Sequence, residues 1–104
     1  MDEKVRRGLL YDFYGDLLKE HQQEIYKEYA YEDLSLSEIA EEVGMSRQGV
    51  SDQIRRCSKT LEEYESALHL LEKFPRIRQA AEDIQKTRDM DVAHELAKQI
   101  LAQL

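Results

Sequence analysis

Between Ser46 and Lys59 the chain reads SRQGVSDQIRRCSK, with four cations, Arg47, Arg55, Arg56 and Lys59, against the single acid Asp52. Guanidinium, amide and hydroxyl groups in this mixture bond phosphate oxygens and base edges, so the chemistry they offer is nucleic-acid recognition. At helical spacing Arg47, Gln48, Ser51, Asp52 and Arg55 fall on one side, while Val50 and Ile54 fall on the other. Ser46 is placed to cap such a helix. The candidate nucleic-acid-binding residues are therefore Ser46, Arg47, Gln48, Ser51, Asp52, Arg55, Arg56 and Lys59. Arg47 and Gln48 would meet base edges or phosphates at the helix N-terminus, and Arg55 and Arg56 would lie over the backbone.

Other chemistry finds little support in the residues. His21, His69 and His94 stand apart with no second His or Cys at ligand spacing, so no metal and no cofactor is expected. The pairs Glu41-Glu42, Glu62-Glu63 and Glu82-Asp83 read as solvated helix faces, with nothing to raise a carboxyl pKa for acid–base work. Cys57 falls on an apolar seam and reads as a buried, inert thiol. No glycine-rich phosphate loop occurs. The chain is not expected to be an enzyme. Tyr11, Tyr14, Tyr26, Tyr29 and Tyr31 could stack on bases, but their helical spacing favours core packing.

The elements that must position the basic helix are legible just upstream. Ser35 and Glu38 form a capping box that starts a helix whose apolar face is Leu36, Ile39, Ala40 and Val43. Gly44 stands where a turn needs positive φ, and Met45, Val50 and Ile54 hold the next helix against the first. Ser35 to Arg56 is thus the sequence form of a helix-turn-helix.

Around this motif the chain is all helix by pattern, with one proline, four glycines and no β-branched alternation in 104 residues. A helix is expected from Glu3 to about Leu18 with Gly15 a potential break, and another from about Glu20 to Tyr31. In the second, Glu20, Gln23, Glu24, Lys27 and Glu28 are expected to face water. The helix from Arg47 has no Gly or Pro to stop it before Pro75, and Val50, Ile54, Cys57, Leu61, Tyr64, Leu68 and Leu71 form a heptad seam along it. Phe74-Pro75 is expected to be the next boundary, followed by a short helix and a last one with the stripe Val92, Ala93, Leu96, Ala97, Ile100, Leu101 and Leu104. This divides the chain into a helix-turn-helix core over 1–74 and a C-terminal helical extension over 75–104.

Charge complicates the nucleic-acid reading. The net charge is −7, yet residues 35–59 carry four basic and four acidic groups while the flanking segments carry the excess acid. The basic helix is an island on an acidic body, which suits a protein partner as well as a nucleic acid. One cysteine allows no intrachain disulfide, and no apolar run reaches the length of a membrane span. A cytoplasmic protein without membrane contact is expected.

Several segments together, DFYGDLL (Asp12–Leu18), LKEHQQEIY, Glu32-Asp33 followed by LSLSEIAEE, then SRQGV and LEEYESAL, resemble the YlxM family of small bacterial helix-turn-helix proteins. The resemblance covers roughly residues 9–74. It implies an all-α fold with a helix-turn-helix like that of sigma-factor region 4; joined to the helical pattern read above, this gives a sigma-factor region 4-like helix-turn-helix bundle with a long recognition-side helix and C-terminal helices. It also implies a DNA-binding or regulatory role, and a link to the signal recognition particle through the GTPase Ffh. Ser46, Arg47, Gln48, Val50 and Ile54 match the family's motif by position. Gly49 and Ser51 depart from it, standing where Ala and Tyr are expected.

Two functional readings follow. In one the protein is a regulator binding DNA or the signal recognition particle RNA. In the other the motif is a scaffold, and acidic helical faces bind a basic protein such as the targeting GTPase. A homodimer is expected in addition, because Leu61, Leu68, Leu71, Leu96, Ile100 and Leu101 form more apolar stripe than the small bundle can cover.

Overall fold

In the computed structural model, which describes residues 1–104, the chain is six α-helices with no strand. They are α1 (Glu3–Tyr14), α2 (Glu20–Ala30), α3 (Leu36–Val43), α4 (Arg47–Leu68), α5 (Leu70–Lys86) and α6 (Met90–Gln103). They form two compact units, Met1–Leu68 and His69–Leu104.

The first unit is built around α4. Its inward residues Val50, Ile54, Cys57 and Leu61 are buried, as are Leu10 and Tyr14 of α1, Ile25 and Tyr26 of α2, and Ile39 and Ala40 of α3. Each large aliphatic group so removed from water contributes about 1.5–3 kcal/mol. A buried hydroxyl–carboxylate contact ties α1 to α4 within this core: Tyr14 Oη donates to Glu65 Oε1 at 2.7 Å. At the rim Arg6 forks onto Glu62 through Nε and Nη2, at 2.9 and 2.7 Å, and joins the same two helices. That guanidinium holds the Glu62 carboxyl below the usual carboxylate range.

Helix α1 stops at Tyr14, short of the expected Leu18, and Gly15–Leu17 form a 3₁₀ turn. Gly15 permits this turn because a Cβ there would come within 2.8 Å of the Tyr11 ring. That ring stacks on Tyr26 and meets Tyr31 edge-on, so it has no room to move. The chain then runs extended through buried Leu18. Gln23, expected to face water, is half-buried because its amide donates to the Leu18 carbonyl oxygen at 2.8 Å.

The long helix does not reach Pro75. It ends at Leu68, and His69 takes a left-handed conformation with φ of 57° before α5 begins at Leu70. A left-handed residue breaks the helical hydrogen-bond ladder without Gly or Pro, and histidine is among the non-glycine residues enriched there. The His69 carbonyl oxygen then accepts from the Glu72 and Lys73 amides at 3.2 and 3.0 Å, satisfying the first turn of α5. Pro75 lies inside α5 rather than at a boundary. Proline forfeits one backbone hydrogen bond there, a local cost the rest of the helix carries. The break between units therefore falls at His69, not between residues 74 and 75.

In the second unit α5 and α6 pack on each other, joined by Thr87, Arg88 and Asp89. Asp89 caps α6 by accepting from the Asp91 and Val92 amides at 2.9 and 3.4 Å. Ala80 is buried and Ile84, Leu96 and Ile100 are half-buried, while Met90, Val92, Leu101 and Leu104 are exposed. Of the residues expected in an exposed patch, Leu61 and Leu71 are buried instead.

Candidate nucleic-acid interface

Local chemistry sets the angle at which α4 is presented. Ser35 Oγ accepts from the Glu38 amide and Glu38 Oε1 accepts from the Ser35 amide, each at 3.1 Å, which closes the capping box of α3. These bonds to its charged form draw the Glu38 carboxyl pKa down. Gly44 ends α3 at φ 72° and ψ 34°, the left-handed conformation anticipated for the turn. Ser46 then caps α4, its Oγ accepting from the Gly49 amide at 3.0 Å. A Cβ on Gly49 would sit 3.1 Å from that oxygen and 3.3 Å from Met45 Cε, so the cap is packed tightly against this glycine.

The candidate side chains lie on one exposed face. Ser46, Arg47, Gln48, Arg55, Arg56 and Lys59 are exposed, and Ser51 and Asp52 are half-buried. Asp52 organises its neighbours: Oδ1 accepts from Gln48 Nε2 at 3.1 Å and from Arg55 Nη2 at 2.8 Å. The Arg55 bond, then the Gln48 bond, holds the Asp52 carboxyl below its ordinary range. Two of the candidate side chains, Gln48 and Arg55, are thereby held in place, while Arg47, Arg56 and Lys59 form no salt bridge within the chain. Beside this face an open groove of about 430 Å³ is lined by Tyr29, Leu36, Ser51, Ile54, Arg55 and Ser58. The Arg7 guanidinium stacks on Tyr29, 4.3 Å from the ring centroid.

Tyr14 and Tyr26 are buried in the core, Tyr31 is exposed, and Tyr11, Tyr26, Tyr29 and Tyr31 contact one another ring to ring. Cys57 is 1% exposed and burial pushes its thiol pKa up, the environment of an inert cysteine.

One functional candidate escaped the sequence reading. Glu28, expected to face water, is buried, and the desolvation of its carboxyl, reinforced by the neighbouring charge of Glu42, raises its pKa to about 7. The acidic residues of this chain are thus not all solvated helix faces. The missed signal was positional: Glu28 follows Ile25 by three residues, on the flank of the buried stripe.

The family model described as UPF0122, "Putative helix-turn-helix protein, YlxM / p13 like", matches residues 1–101. The likeness therefore runs through α5 and almost all of α6, well beyond residues 9–74. A UPF0122 protein of Shouchella clausii is 43% identical over 97% of this chain and 93% of its own. Another, from Halalkalibacterium halodurans, is 38% identical over 100% of this chain and 95% of its own. A third, from Bacillus cereus, is 47% identical over 71% of this chain and 67% of its own. With both helices of the motif, its caps and its turn glycine in place, and a match from α1 into α6, this chain belongs to the UPF0122 family of YlxM / p13-like proteins.

Proposed function

We propose that the chain is a nucleic-acid-binding regulatory protein that reads its target with α4. The observation that carries this reading is the exposed face of that helix, where four cations surround one acid and the Ser46 cap and Gly44 turn hold the helix at a set angle to α3. Arg47 and Gln48 meet base edges or phosphates at the N-terminal end, and Arg55, Arg56 and Lys59 lie along the backbone. Asp52 keeps Gln48 and Arg55 from collapsing onto other partners before contact. A duplex DNA and the structured RNA of the signal recognition particle are the two targets to compare.

The test is the salt dependence of binding to each labelled target. Phosphate contacts make log K fall linearly with log salt, and each lost contact lowers the slope by about 1. R47A/R55A should abolish the shift. Retained binding with an unchanged slope would remove α4 as the interface.

Self-association accompanies this reading. Met90, Leu101 and Leu104 leave an exposed apolar edge on α6, and a second copy would cover it with the same residues. Sedimentation equilibrium at micromolar concentration tests this, a monomeric mass overturning it.

A further inference from the structure

At the junction of α2 and α3 the buried carboxyl of Glu28 meets that of Glu42 without a cation. Glu28 is 7% exposed, and its Oε2 is buried with no hydrogen-bond partner. Glu42, exposed on α3, lies within hydrogen-bonding reach of it, and Glu32 and Glu24 add negative charge from either side in sequence. None of these four acids is in a salt bridge. No cation of the chain pairs with them: Lys4 is held by Asp33 at 3.2 Å and Arg6 by Glu62, while Arg7 lies over the Tyr29 ring with its Nε unpaired and Lys27, beside Glu28 on α2, is exposed and in no salt bridge. From α4, Ser58 bonds Tyr26 rather than Glu28.

Two carboxylates facing each other across a helix junction require something positive between them. Burial first, and then the charge of Glu42, favours the protonated form and raises the Glu28 pKa to about 7, so a proton meets that need at low pH. A metal ion does not suit the junction, since no three donor groups come together to hold one. Nucleic acid is repelled by the sign of the charge. A guanidinium or ammonium matches by charge and chemistry, because its donors can pair with two carboxylates at once.

We propose that the Glu28–Glu42 junction is a docking point for an arginine or lysine side chain from a basic segment of a partner protein, with Glu24 and Glu32 as its outer rim. The surface lies on α2 and α3 and uses none of the α4 residues assigned to nucleic acid, so either reading can fail alone. Docking replaces the shared proton by the incoming cation, and the proton leaves to solvent. Affinity therefore follows the fraction of Glu28 that is ionised.

The test is a titration with the blocked peptide Arg-Gly-Arg-Gly-Arg at pH 6 and pH 8. Ionisation near pH 7 makes binding about tenfold tighter at pH 8. Glu28→Gln should bind at the weaker strength at both pH values. Glu63→Gln removes the same charge from an exposed position on α4 and should keep the tenfold difference. Calorimetry at pH 7 in buffers of different ionisation heat should show proton release on binding to the wild type and none with Glu28→Gln. Equal wild-type affinity at both pH values, absence of proton release, or equal losses in the two variants would overturn the proposal.

Discussion

Replacing Glu28 by Gln should stabilise the protein, and the gain should depend on pH. The wild-type carboxyl ionises near 4.5 in the unfolded chain and near 7 in the fold, where burial and then Glu42 oppose its charge. Below the lower value both states are protonated and Glu28 has no effect. Between the two values the fold holds a proton that the unfolded chain has lost, so stability falls as pH rises, and above about 7 the full penalty stands. A difference of one in pKa between folded and unfolded chain corresponds to about 1.4 kcal/mol, and screening by water around the exposed Glu42 reduces the sum to about 1–3 kcal/mol. Glutamine keeps the shape and donates an amide hydrogen to Glu42, reproducing the protonated state at every pH. The carboxyls of Glu38, Asp52 and Glu62 act in the opposite direction, since their lowered pKa values stabilise the fold at neutral pH and are lost in acid. They are common to both proteins and cancel in the difference. Urea unfolding at pH 4.5, 6, 7 and 8 should therefore show the variant equal to wild type at the lowest pH and more stable by about 1–3 kcal/mol at the highest. A difference that does not change with pH, or a variant less stable at pH 8, would refute the burial of Glu28 beside the charge of Glu42.

Gly44→Val should lower the melting temperature, because φ of 72° is strained for any residue with a Cβ although nothing lies within 4 Å to clash. The cost is about 1–2 kcal/mol of backbone strain, and Gly44→Asn should recover part of it; an unchanged melting temperature for Val would contradict the turn geometry. Cys57 should resist a thiol reagent at pH 8 in the native protein and react once urea unfolds it, given its 1% exposure and raised thiol pKa. Stoichiometric native labelling within seconds would show that α4 is not seated as described.

Much of the motif was legible because its signals are local. A capping box depends on residues three apart, a left-handed turn on the absence of a Cβ, and an exposed basic face on helical spacing. Ser35, Glu38, Gly44, Ser46 and the Arg47–Lys59 face all follow from those rules. The end of α4 was not legible, because the strongest local punctuation, Pro75, was tolerated inside α5 while His69 took the left-handed position. Local preferences there differ by about 1–3 kcal/mol, an amount packing can override.

The sequence alone therefore determined an all-helical chain, the position of the helix-turn-helix and the basic side of α4, since helix propensity, capping and periodicity act within a few residues. Tertiary structure decided that Gln23 turns inward to the Leu18 carbonyl, that Asp52 holds Gln48 and Arg55 together, and that Glu28 is buried against Glu42. Whether a residue at the edge of an apolar stripe faces water depends on what the neighbouring helix brings against it. Helical spacing places Glu28 on the flank of α2, and only the packing of α3 turns that flank into an interior.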